Sequence, residues 1–99
     1  MIKLRIFIAA DDPDCEYAKD VILRLLAENE KFEDVSAEFL DEKTNASLSD
    51  GYDYIFLPAV FVCRKEEFAG HKVFQWIKLH EGHPTEESLI RALEKALKF

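Results

Sequence analysis

The sequence predicts an α/β domain in the order β-α-β-(α)-β-β-α, a mixed four-stranded sheet flanked by helices. Three observations carry that expectation. An apolar strand near the N-terminus is followed by a capped amphipathic helix and by a second strand with a period of two. Two further extended runs lie close together and read as a hairpin. A capped amphipathic segment closes the chain. A β-α-β unit requires a right-handed parallel crossover and a hairpin is antiparallel, so the four strands join in one mixed sheet.

The first strand spans Lys3 to Ala9, alternating charged and apolar residues and then turning wholly apolar, as a strand does on entering the middle of a sheet. Asp11-Asp12-Pro13-Asp14 is a helix start: Asp12 caps free amides, Pro13 suits the first helical position, and Asp14 favours the positive end of the dipole. Ala18, Val21, Ile22, Leu25 and Leu26 then recur at helical spacing, which predicts one buried face and a helix to about Glu28. Phe32 to Leu40 sets Val35, Ala37 and Phe39 on one side and Ser36 and Glu38 on the other, a second strand. The polar stretch from Asp41 to Asp53, stopped by Asp50-Gly51, has room only for a short helix around Lys43 to Leu48.

Leu57-Pro58-Ala59-Val60-Phe61-Val62-Cys63 is the third strand, with Pro58 at its start, where a missing amide is tolerated. Lys65 to His71 reads as a polar connection and Val73 to His80 as the fourth strand. Glu81-Gly82-His83-Pro84 breaks that strand. Thr85 then caps a last helix with Glu86 and Glu87 in its first turn and Leu89, Ile90, Leu93, Ala96 and Leu97 on its buried face.

With 99 residues, 48% of them hydrophobic and 12% aromatic, the chain can build one core, so residues 1–99 read as a single domain. Thirteen basic against 20 acidic residues give a formal net charge of −7, which repels polyanions; nucleic acid and membrane are not expected partners. The N-terminal apolar stretch ends at Asp11 and Asp12 and reads as a strand instead of a signal peptide, so a cytoplasmic location is expected. There, Cys15 and Cys63 are expected as free thiols, although the sequence leaves a bridge between them open.

Asp12-Pro13-Asp14-Cys15-Glu16-Tyr17-Ala18-Lys19 resembles the glutaredoxin pattern C-P-Y-C-x-x-A-K, departing from it at the first and third positions. The distance from the first strand fits that family without insertion, and Leu57-Pro58 resembles its T-V-P segment. Lys78-Leu79-His80-Glu81-Gly82 followed by Pro84-Thr85 is similar to the end of small bacterial glutaredoxin-like proteins. The resemblance covers nearly the whole chain, with Lys65 to Ile77 forming a longer hairpin than such proteins carry. It implies a thioredoxin-like fold of the glutaredoxin type and a cis-proline at Pro58 beside the motif. It also implies a groove of Pro13, Asp14, Leu57 and Pro58, in which the Leu57 backbone pairs with an extended peptide or glutathione while its side chain borders the groove. In a second register, Cys15-Glu16-Tyr17-Ala18 stands for C-P-Y-C and makes a monothiol site. That register adds three residues after the strand, leaves Pro13 outside the helix start and loses the Ala18-Lys19 match. Capping chemistry favours the first.

A dithiol motif works because the helix dipole stabilises the thiolate of its first cysteine and the second cysteine resolves the mixed disulfide. In the first register Asp12 replaces that nucleophile. The remaining thiol, Cys15, is surrounded in sequence by Asp11, Asp12, Asp14 and Glu16, and like charge disfavours a thiolate, so an inert or sluggish cysteine is expected. The plainer roles are a helix cap for Asp12 and a small buried residue for Cys15. The leading expectation is a glutaredoxin-like protein, redox-inactive or weakly active, that keeps a peptide- or thiol-binding groove. Its partner would be glutathione or a protein thiol, with no bound cofactor.

Two alternatives stand beside it. One is a monothiol disulfide oxidoreductase using Cys15, with glutathione as co-substrate. The other is an interaction module in which the long hairpin, with Phe74 and Trp76, makes a homodimer and the redox site is vestigial. No metal is expected: the acidic cluster lacks EF-hand spacing, His80 and His83 have no second ligand pair, and the C-G-F-S type of motif is absent. Cys63 reads as an ordinary sheet residue.

Overall fold

A computed structural model describes residues 1–99. Its elements are β1 (Ile2–Ile8), α1 (Pro13–Glu28), a 3₁₀ turn (Glu30–Phe32), β2 (Val35–Asp41), α2 (Ala46–Ser49), β3 (Ala59–Phe68), β4 (His71–Glu81) and α3 (Glu86–Ala96). The sheet order is β2-β1-β3-β4, with β1 parallel to β2 and antiparallel to β3, and with β3 antiparallel to β4. The expected α/β class, a mixed four-stranded sheet flanked by helices, is the one observed.

The strand period of two gives the sheet two different faces. Leu4, Ile6, Val60 and Val62 point to one face, where Ala18, Ile22 and Leu25 of α1 and Leu89 and Leu93 of α3 pack on them with Phe32. On the other face Phe7, Ala59 and Phe61 are covered by Tyr52, Tyr54, Leu57 and the edge of Trp76. Phe7 and Tyr54 stack at 5.3 Å between ring centroids, and Tyr52 meets Phe7 edge-on at 4.8 Å. One face thus lies under two helices and the other is partly covered by the loop before β3.

Besides shifts of one or two residues at strand ends, among them β3 starting at Ala59 and leaving Leu57 and Pro58 in the loop before it, four points differ from the sequence reading. Phe32 stands in the 3₁₀ turn ahead of β2; it is only 1% exposed and plugs the main core, so its apolarity reflects packing and not strand pairing. The short helix begins at Ala46, after Asp41 and Asn45 bond locally around Lys43 and Thr44. On α3, Ala92 is buried where Leu97, the C-cap residue, is not.

The fourth difference is the largest. Lys65 to His71 is not a polar connection but strand, because the β3–β4 ladder continues to Phe68 opposite His71. Opposite charges pair across it at Glu67 and Lys72, and the turn is only Ala69-Gly70. Both turn residues have positive φ, +52° and +80°, the conformation whose twist matches that of the flanking strands.

Candidate functional site

The site the sequence points to is built at the start of α1. Asp12 is the N-cap, and its Oδ1 accepts from the backbone N–H groups of Asp14 at 2.8 Å and Cys15 at 3.2 Å. Pro13 follows in the first turn, where its missing N–H costs nothing. Cys15, the third residue of α1, is 1% exposed, and its Sγ accepts from the Ala9 N–H at 3.3 Å. Both cysteines are free thiols.

The Cys15 pKa is raised, chiefly because burial penalises the thiolate. The Ala9 N–H works the other way, and the charges of Asp12, Asp14 and Glu42 add to the rise. The direction agrees with the sequence reading, but burial leads and charge follows. Glu42, distant in sequence, contributes as well. A depression of about 250 Å³ lies beside the thiol, lined by Asp11, Asp12, Asp41 and Lys19 among others.

Leu57 and Pro58 enter from the loop before β3, and the peptide bond between them is cis. The Pro58 carbonyl accepts from the Gly82 N–H at 3.0 Å, and His83 Nδ1 lies 3.0 Å from Asp14 Oδ1. The turn after β4 therefore bridges the proline loop to the start of α1, which brings Pro13, Asp14 and Pro58 to one end of the molecule. The half-buried Leu57 side chain packs on the aromatic cluster around Phe7. His80 Nε2 is 2.9 Å from the Gly82 carbonyl and His83 faces Asp14, so the two histidines serve different partners.

Sequence reasoning passed over the residues just before the proline. Ile55 and Phe56 are 83% and 65% exposed, and the Glu81 carboxylate accepts from both of their backbone N–H groups. Those bonds, with the ammonium of Lys78, hold the Glu81 pKa down at about 2. The visible signal was an apolar triplet, Ile55-Phe56-Leu57, at the end of a polar stretch.

No protein-family model matches the chain, and no curated protein is similar enough to match it. Solved structures are similar in fold. A malarial protein superposes with a TM-score of 0.67 at 15% identity, over 96% of each chain. A Trichomonas vaginalis thioredoxin does so with a TM-score of 0.65 at 23% identity, over 95% of this chain and 78% of its own. The fold is thioredoxin-like. Within this thioredoxin-like fold, no helix is long and apolar enough to cross a membrane.

Proposed function

We propose that the chain is a glutaredoxin-like binding module that has kept a thioredoxin-like groove and given up dithiol turnover. Its ligand is glutathione or an extended peptide carrying a thiol, lying against Leu57 and Pro58 and the first turn of α1. The two free thiols suit a reducing cytoplasm. One observation carries the reading: the helix N-terminus, where a nucleophilic thiolate would gain most from the dipole, is filled by the Asp12 carboxylate, while the available thiol, three residues on, is buried. A thiol that is both buried and raised in pKa is a poor nucleophile at neutral pH, which speaks against the monothiol alternative.

The test combines rate and binding. Alkylation of the folded protein should modify Cys63 first, with Cys15 reacting slowly and only above its ordinary pKa. Glutathione-dependent reduction of a small disulfide should be at background. Rapid Cys15 alkylation at neutral pH with turnover would refute the proposal. The Asp12→Cys variant restores a C-x-x-C spacing and should gain disulfide reduction; a variant that folds and stays inactive would mean that the motif is misaligned. Glutathione titrated into the native chain should shift the amide resonances of Leu57, Ala59 and Gly82, and a flat response at millimolar glutathione removes the groove.

A further inference from the structure

We infer that the sheet face opposite α1 and α3 carries a binding site for a small organic anion with a flat apolar body, such as an aromatic carboxylate. It lies apart from the Pro58 groove and does not depend on the reading of that groove. Tyr52 and Tyr54 cover the end of this face over Phe7 and Phe61. Beside them opens a depression of about 540 Å³, lined in part by Lys3, Arg5, Glu38, Lys65, Phe74 and Trp76. Its size is that of a small-molecule site, which is typically about 300–1,000 Å³.

Charge and shape select the ligand. The chain as a whole carries −7, yet three cationic side chains converge here against the single carboxylate of Glu38. Two of the cations are already set against aromatic rings: the Arg5 guanidinium lies 4.7 Å from the centre of the Trp76 ring, and the Lys65 ammonium 5.9 Å from that of Phe74. Arg5 is oriented further by its Nη1 donating to the Tyr52 hydroxyl at 2.9 Å. Its Nε makes no hydrogen bond and is ion-paired with Glu38 Oε1 at 3.6 Å, so Glu38 offsets part of the Arg5 charge. The exposed ammonium groups of Lys3 and Lys65 are left for an entering carboxylate to meet.

The aromatic rings offer the apolar surface for the ligand's body, Phe74 being 55% exposed. A second copy of the chain is a poor occupant, since a two-fold contact would set Lys3, Arg5 and Lys65 against their own equivalents. Three cations on an acidic protein are also too few for a nucleic acid.

Trp76 is the only tryptophan, so its indole N–H gives one NMR cross-peak that reports on this face. The full chain is titrated with 2-naphthoate, with the neutral alcohol 2-naphthalenemethanol and with the cationic amine 2-naphthylmethylamine. Naphthoate should shift the Trp76 peak saturably at sub-millimolar concentration, and the other two should bind about tenfold more weakly. Lys3→Glu and Lys65→Glu, both at exposed positions, should each weaken naphthoate by about fivefold and leave the circular dichroism spectrum unchanged. The inference is overturned by no saturable shift up to roughly 5 mM naphthoate. Equal affinity for the three compounds overturns it too, as does naphthoate binding that ignores both lysine substitutions.

Discussion

Replacing Asp12 with alanine tests whether this residue is held in place by what it does for the fold. Its Oδ1 satisfies two amides of the first turn of α1, one at 2.8 Å and one at 3.2 Å. Loss of such a cap costs about 0.5–2 kcal/mol, and a carboxylate at a helix N-terminus adds about 0.3–1 kcal/mol through the dipole. Asp11, Asp14 and Glu16 stand close by, so removing one negative charge returns part of that. The expected cost of Asp12→Ala is about 1.5 kcal/mol. Asp12→Asn keeps the acceptor and loses only the charge, so it should cost about 0.5 kcal/mol. For a domain of this size the alanine variant should melt about 6–12 °C lower. Urea unfolding followed by far-ultraviolet circular dichroism measures both variants against the parent in one buffer. If the alanine variant lies within about 0.3 kcal/mol of the parent, or the asparagine variant is as unstable as the alanine one, the cap does not explain this residue.

The other expectations concern the core and the acid limb of stability. Ile22→Ala, at a side chain 1% exposed between α1 and the sheet, should cost about 3 kcal/mol, while Leu23→Ala, 47% exposed next to it, should stay within about 0.5 kcal/mol; denaturant midpoints compare them. Glu81 has a depressed pKa, so its contribution is complete above the ordinary carboxylate value and is lost as pH falls toward about 2. Glu81→Gln should therefore flatten the stability profile between pH 4.5 and about 2, read from thermal melts across that range. It should also speed amide exchange at Ile55 and Phe56, and a profile that keeps the parent's acid slope would remove Glu81 as its source.

Much of the fold was legible because its signals were local. Pro13 and the acids beside it marked the start of α1, Thr85 marked α3, and the period of two in Val35 to Phe39 marked β2. The hairpin arm was not legible, since Lys65 to His71 owes its extended form to cross-strand partners and to two positive φ angles, neither of which shows in a one-dimensional pattern. Phe32 misled for a related reason: an apolar residue beside a strand reads as strand, whereas it is buried in the core that α1, α3 and the sheet build together. At the candidate site, sequence singled out Asp12, Cys15 and Pro58 through local signals, a helix cap with Pro13 behind it and a proline directly before an apolar run. It missed Glu81 and the pair Ile55-Phe56, because a carboxylate reaching back across 25 and 26 residues to two backbone amides leaves no spacing rule to read.

The ten-residue β3 works as a ruler. Pro58 stands immediately before it and the Ala69-Gly70 turn immediately after, and ten residues of extended chain span about 33 Å. Whatever sits against the proline is therefore out of reach of anything bound near the tip. With nothing within 4 Å of where a Gly70 side chain would project, extra residues can be threaded into that turn and hang clear of the rest of the molecule. The tip is thus a natural point for attaching a label or a tether that leaves the proline end of the protein free.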